Sequence, residues 1–462
     1  MKKSSLILIS LIALSFLFLI NSCSNQSASK QKVENKDSAQ YLVKHPEWIK
    51  SANIYEVNLR QYTKSGTINE FRKHLPRLKE LGVDILWFMP VQPVGVKNRK
   101  GKLGSYYSVK DYTAINPEFG TMADFNAMVK EIHEMGMYII LDWVPNHTAW
   151  DHTWTKSHPE FYTKDSLGNF MPPTGTDWSD VIDLNYDNAG LREEMIRCLK
   201  FWIDSANIDG YRCDVASWVP TDFWNDVRVK LDSIKPIFML AEAEQADLQY
   251  KAFDAGYGWG FHHVMHQVAK GEKTVAAIDS FLIKDSSTYS ANAIHMQFTT
   301  NHDENSWNGT EYEKFGAGSK AFAVLYYTIP GMPLIYSGQE VGLNKRLKFF
   351  EKDQIDWNAN KEVNAFFKSL NALKKEQSAL WNAENGAKLS RIKTNKDSNV
   401  FAFIRENEQS KVLVITNLSK ETVKVKLDIT SNCSDMKNYF SKSNFSSNEM
   451  ELKAWEYLVF VK

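Results

Sequence analysis

Four short stretches place ionisable side chains directly behind apolar runs. Asp142, Asn146 and His147 follow YIIL, and Arg212 and Asp214 lie in DGYRCDVA. Glu242 and Glu244 lie in FMLAEAE, and His302 and Asp303 lie in FTTNHDEN. A single carboxylate at a strand end often does no more than cap a helix or pair with a cation. Four such clusters, each behind its own apolar run, exceed what capping explains. The side-chain types suit cleavage of a glycosidic bond. That chemistry needs one ionised, nucleophilic carboxyl and one protonated, acidic carboxyl in different surroundings. It also needs donors for sugar hydroxyls and flat faces for sugar rings. Arg212 and Asp214 are two residues apart on one predicted strand, so their side chains point the same way. A guanidinium there keeps a carboxylate ionised and oriented. Glu242 and Glu244 are also two apart, so alternation does not choose between them.

The elements that must position these groups alternate in type. Predicted strands cover 52–59, 83–90, 138–145, 208–215, 237–243, 294–300 and 333–337, with a weaker one near 252–257. Predicted helices cover 69–81, 188–206, 220–234, 275–284, 318–328 and 361–376. A further helix follows the cap Thr121-x-x-Asp124, with Phe125, Met128, Val129, Ile132 and Met135 on one face. Phe71, Leu75, Leu78 and Leu81 form the face of the first helix, and Gly82 ends it. Strands alternating with helices, about eight units in all, predict an α/β fold: a parallel (β/α)8 barrel over 46–382. In such a barrel the functional groups stand at the C-terminal strand ends, where the four clusters lie. Residues 147–187, rich in His, Trp, Asp, Pro and Gly, interrupt the alternation as an inserted loop-rich subdomain after the third strand. From about 383 to 462 the pattern becomes short alternating strands (VFAFIRE, KVLVITNL, TVKVKLDI, WEYLVFV), a small antiparallel β-sandwich domain.

The 462 residues carry 55 lysines and arginines against 55 aspartates and glutamates, which leaves no electrostatic footprint for nucleic acid or an anionic membrane. The N-terminus has the form of an export signal. Lys2 and Lys3 precede an apolar run from Leu6 to Ile20, followed by Ile20-Asn21-Ser22-Cys23. That run is too short for a comfortable membrane span. The last four residues resemble a bacterial lipobox, with Ile20 where leucine is usual. On this reading residues 1–22 are removed and Cys23 is lipidated. Residues 23–45 then form a polar tether, and the mature chain has a formal charge of −2. The only membrane contact expected is this lipid, in the cell envelope. Cys198, Cys213 and Cys433 remain, an odd number that implies no disulfide framework.

Taken in order, the segments Asp142-Trp-Val-Pro-Asn146-His147, Gly210-Tyr-Arg212-Cys-Asp214, Leu240-Ala241-Glu242 and Asn301-His302-Asp303 resemble the signature of the α-amylase family of glycoside hydrolases. The resemblance covers roughly residues 50–460. It is reinforced by GVDILWFMP (82–90), GSYYSVKDY (104–112), NPEFGT (116–121) and GMPLIYSGQE (331–340). It implies Asp214 as nucleophile, Glu242 as general acid and base, and Asp303 as the third carboxylate, which favours the distorted ring. It implies His147, Arg212 and His302 as substrate-binding groups and Tyr107 as the ring under the reacting sugar. The family pattern of apolar, small, then glutamate selects Glu242 over Glu244. Asn146 and Asp183 match positions that often hold a structural calcium, and oxygen ligands suit that ion. Two such residues are not a site, and the lysine–histidine pair that frequently follows the nucleophile is replaced by Ser217-Trp218. No other cofactor is implied.

The implied activity is retaining cleavage of α-glucosidic bonds, mainly α-1,4, in starch, maltooligosaccharides or related α-glucans. Debranching enzymes, α-glucosidases and transglycosylases of the family share these segments. A non-catalytic glucan-binding lipoprotein is the alternative of another class, and such proteins commonly lose a carboxylate that this chain retains. Trp150, Trp154, Trp178, Trp218, Trp259 and Trp307 lie close to the motifs, and two or three of them are expected in the cleft.

Overall fold

The computed structural model describes residues 43–429 and 433–462. The export signal, Cys23 and most of the tether therefore lie outside the described residues. Strands β1 (Ile54–Val57), β2 (Ile85–Phe88) and β3 (Tyr138–Trp143) open the fold. A two-stranded antiparallel hairpin follows in the insertion, β4 (His147–Ala149) with β5 (Val181–Asp183). Strands β6 (Gly210–Cys213), β7 (Phe238–Ala241), β8 (Ala255–Tyr257), β9 (Ile294–Gln297) and β10 (Met332–Tyr336) come next. The eight strands outside the hairpin pair in parallel, and β10 returns to β1 to close a barrel.

Alternation along each strand sorts the side chains into two layers. Ile54, Ile85, Trp87, Ile140, Phe238, Leu240, Ala255, Tyr257, Ile294, Met296 and Leu334 fill the barrel interior. Tyr55, Leu86, Phe88, Ile139, Leu141, Tyr211, Cys213 and Met239 face outward into the layer shared with the helices. The inward set changes character along the barrel axis. On β1, Ile54 gives way to Glu56; on β3, Ile140 gives way to Asp142; on β6, Gly210 gives way to Arg212. All three charged residues are buried. Gly210 is required where it stands. Its φ is +151°, and a Cβ there would lie 1.8 Å from the Phe238 carbonyl oxygen of β7.

The helices follow their local signals with one break. Thr121 caps the helix Met122–Glu134 by accepting from the Asp124 N–H, while Asp124 accepts from the Thr121 N–H at 2.9 Å. The predicted helix over 69–81 is two helices, Ile68–Arg72 and Leu75–Leu81. Pro76 in the first turn of the second cannot donate back to the preceding turn, so the chain restarts there. Gly82 ends the second helix in the left-handed conformation, as the sequence implied. Trp259–Lys270 is a further helix that the sequence pattern did not reveal.

Strands β11 (Leu389–Ile392), β12 (Val400–Glu406), β13 (Lys411–Asn417), β14 (Val423–Lys426), β15 (Lys437–Asn438), β16 (Glu449–Leu452) and β17 (Tyr457–Val461) form the C-terminal unit. It has two layers: an antiparallel sheet ordered β11-β12-β13-β17-β15, faced by the ribbon β14-β16. Val400, Ala402, Ile404, Leu413 and Ile415 pack toward Val423, Val425 and Leu452. Phe401, Phe403, Val412 and Val414 join the core beside the barrel helices. Buried Arg405 ties the unit to the barrel by donating to the carbonyl of Thr328 at 3.1 Å.

Candidate active site

The charged groups meet at the C-terminal end of the barrel around Arg212. Asp142 and Arg212 are opposite each other in the β3–β6 register. Arg212 Nη1 donates to Asp142 Oδ1 at 2.8 Å and to Asp214 Oδ1 at 2.9 Å, and its Nε donates to the Tyr257 hydroxyl at 3.0 Å. Its Nη2 lies 2.9 Å from Glu242 Oε1. That contact is off-line for a hydrogen bond and acts as an ion pair. Removing so many charges from water is expensive, and mutual attraction recovers only part of the cost. Such an arrangement stabilises the fold poorly and is characteristic of a functional site.

Asp214 and Glu242 each sit one residue past their strand, where the backbone still holds strand direction. Burial pushes Asp214 up to about 6 against the opposing pull of Arg212, with Asp142 adding to the rise. Burial pushes Glu242 further, to about 8; Arg212 opposes this, and Asp214 and Asp303 reinforce it. The two carboxyls thus differ in protonation at neutral pH: Asp214 ionised, Glu242 neutral. Val215, immediately after Asp214, takes left-handed angles (φ 36°, ψ 47°), which cost a β-branched residue of order 1–3 kcal/mol. This conformation brings its N–H to 2.8 Å from Glu242 Oε2.

A second chain of contacts holds the His302–Asp303 turn. His302 Nδ1 makes a short contact with Glu56 Oε1. Its Nε2 lies 2.7 Å from the Tyr107 hydroxyl and 3.3 Å from Asp303 Oδ2. Tyr107 donates its hydroxyl to Asp142 Oδ2 at 3.0 Å, which leaves its oxygen free to accept from His302. Both ring nitrogens then donate, the pattern of an imidazolium. Burial works against that charge, but Asp303 and Glu56 raise His302 to about 9. His147 is the opposite case: burial lowers it to about 3, so it stays neutral.

Asp214, Glu242, Asp303, Tyr107, His147 and His302 all line one open cavity of about 480 Å3, with Arg212 buried behind Asp214 and Glu242. The sequence-predicted groups are therefore brought together. Glu244 is not among them: its carboxylate accepts from the Gly260 N–H at 2.6 Å, at the start of the helix Trp259–Lys270. Sequence reasoning missed Glu56, Trp87 and Tyr257 as supports. Trp87 donates to Asp142 at 3.2 Å. The missed signal was their inward parity on β1, β2 and β8. Of the six tryptophans, Trp178 and Trp307 line the cavity, and Trp218 stacks on Trp178.

Asn146 and Asp183 come together at the base of the β4–β5 hairpin, where His147 pairs with Asp183 and the Leu184 N–H donates to the Asn146 carbonyl at 3.0 Å. They remain a pair: among the described residues, no three His, Cys, Asp or Glu side chains gather to hold a metal ion. The Asn146 and Asp183 side chains by themselves supply fewer oxygens than the roughly six to eight that calcium takes. Cys198, Cys213 and Cys433 are free and buried.

Comparison with known proteins is decisive for the family. The α-amylase catalytic domain matches residues 31–179 and 174–397. The chain belongs to the α-amylase family. It is a glycoside hydrolase acting on α-glucans. The C-terminal unit matches the α-amylase SusG C-terminal domain over 400–459. An α-amylase of Dictyoglomus thermophilum is 28% identical over 449 residues, covering 81% of this chain and 86% of that protein. Among solved structures, a maltogenic α-amylase of Thermotoga neapolitana superimposes with a TM-score of 0.82 at 29% identity, covering 90% of this chain and 99% of the other. An α-amylase of Lactobacillus plantarum gives 0.81 at 27% identity, covering 90% and 99%.

Proposed function

We propose that this α-amylase family member cleaves α-1,4 bonds of starch-type glucans with retention, through a covalent intermediate on Asp214. Asp214 attacks the anomeric carbon while Glu242 gives its proton to the departing glycosidic oxygen. Glu242, now ionised, takes a proton from water, whose oxygen attacks the anomeric carbon and releases Asp214. Arg212 orients Asp214 and tempers the negative charge of the site. Asp303 binds sugar hydroxyls and stabilises the positive ring in the transition state. Cationic His302 and neutral His147 supply donors, and Tyr107 provides a flat face.

One observation carries this reading: Asp214 and Glu242 line one cavity and share the guanidinium of Arg212, and burial together with the neighbouring carboxylates raises Glu242 above Asp214. Two carboxyls on one guanidinium favour the short spacing of about 5–5.5 Å that retention uses. The test is release of reducing sugar from soluble starch, with proton NMR of the first-formed anomer and Asp214→Asn as control. An α-anomer from the wild type and loss of turnover in the variant are expected. A β-anomer, or an active Asp214→Asn enzyme, refutes the mechanism. Product profiles on amylose, pullulan and isomaltose separate α-1,4 cleavage from debranching, exo-glucosidase and transfer activities.

The proposal extends to location. Lys2, Lys3, the apolar run and Ile20-Asn21-Ser22-Cys23 support export and a lipid on Cys23. Labelling with a radioactive fatty acid, lost in Cys23→Ala, tests it.

A further inference from the structure

Asp303 opens one wide turn, Glu304–Asn308, in which the Gly309 N–H donates to the Glu304 carbonyl at 2.9 Å. Helical turns of this π type are rare and are found mostly at functional sites. The turn has two faces. Asp303 and Trp307 line the catalytic cavity. Glu304 and Asn305 are buried, only 5% and 3% exposed.

Glu304 anchors the buried face. Its carboxylate makes a short ion pair with Lys314, in the helix Glu311–Phe315. Its Oε1 accepts from the Asn308 side chain at 2.9 Å, and its backbone N–H donates to Asn301 Oδ1 at 2.8 Å. His262 closes the back, with Nε2 3.7 Å from Glu304 Oε2. Asn305 fixes the turn to the loop after β10, donating to the Lys345 carbonyl at 3.0 Å and accepting from the Leu347 N–H at 2.8 Å. Asp303 is held far less. Among the described residues its ion-pair partner is His302, whose Nε2 lies 3.3 Å away and also meets the Tyr107 hydroxyl. The aim of the Asp303 carboxylate is therefore set by the backbone of the turn. Both members of the Glu304–Lys314 pair give up water, so the pair adds little net stability over apolar side chains of similar volume. What it fixes is geometry. We propose that Glu304 is a positioning residue: gripped by Lys314 and Asn308, it locks the turn that aims Asp303 at the distorted sugar ring. The inference rests on the assignment of Asp303 as the third carboxylate.

The test asks whether Glu304 acts through Asp303. A misaimed Asp303 loses contacts made in the transition state more than contacts to bound substrate. Glu304→Gln is therefore expected to lower kcat on maltohexaose at least about tenfold, with KM within about twofold of wild type. Affinity for acarbose, which carries a flattened ring and a cationic nitrogen, should fall with kcat, while affinity for maltotriose holds. In an Asp303→Asn background, assayed on α-maltosyl fluoride, Glu304→Gln should add no further loss, because the two residues share one path. Asn308→Ala, at the exposed end of the turn, should give a smaller loss of the same kind and keeps the test in hand if Glu304→Gln does not accumulate. An unchanged kcat, a loss confined to KM, or a loss that repeats in full in the Asp303→Asn background overturns the positioning role. Asp303→Asn protein with wild-type turnover would instead overturn the assignment of Asp303, and the positioning role with it.

Discussion

Replacing Glu242 with glutamine should make the protein more stable, and the gain should grow with pH. Glutamine matches the shape of the protonated acid and keeps an oxygen for the Val215 N–H, now 2.8 Å from Glu242 Oε2. The ordinary value of the carboxyl is 4.5, and in the fold it rises to about 8, chiefly because it is buried. Between those values the native state holds a proton that the unfolded chain has released. Stability therefore falls as pH rises through this window, by up to about 1.4 kcal/mol per pH unit. Above 8 the full cost is in place. Glutamine never ionises and escapes it. The expected gain is about 1 kcal/mol at pH 5, about 3 at pH 7 and about 5 at pH 9. For a chain of this length about 0.9 kcal/mol corresponds to one degree of Tm. Melting monitored by circular dichroism at pH 5 and pH 9 should thus show a Tm increase near 1 °C at the first and near 5 °C at the second. Glucan turnover of the same variant should fall by several orders of magnitude, so stability is traded for function. A Tm gain independent of pH, or a loss at pH 9, would refute the claim that Glu242 is held protonated in the fold.

Other expectations follow from the same geometry. The pH profile of kcat/KM should rise near 6 as Asp214 ionises and fall near 8 as Glu242 loses its proton, with a maximum close to 7. Arg212→Lys cannot reach the three carboxylates and Tyr257 at once. It should cost at least about a hundredfold in kcat and move both limbs to higher pH, since Arg212 lowers both carboxyls. Glu244→Gln should leave starch hydrolysis within about threefold of wild type, because that carboxylate faces a helix start rather than the cavity. Gly210→Ala should prevent accumulation of soluble protein, since its Cβ would collide with the Phe238 carbonyl across the β6–β7 pair; normal yield and Tm would contradict this.

Much of the architecture was legible in the order of residues. The apolar runs at 83–90 and 138–145 contain β2 and β3, and even the weak run near 252–257 contains β8. Thr121 with Asp124 marked a real helix start, and Pro76 carried an unread break. Each of these signals is local, set by backbone geometry or by a period of two or 3.6, so neighbouring residues suffice to express it. The parity that sends Arg212 and Asp142 inward is equally local. Tertiary structure decided between Glu242 and Glu244. Both share one parity, but β7 ends at Ala241; Glu242 continues its direction into the cavity while Glu244 turns away with the loop. Tertiary structure also supplied Glu56, Trp87 and Tyr257 as supports and joined Trp178 to Trp218 across about forty residues of chain. It set the protonation states as well. A carboxyl's affinity for its proton depends on how much water it has lost and which charges surround it, and both depend on residues distant in sequence that meet only when the barrel closes.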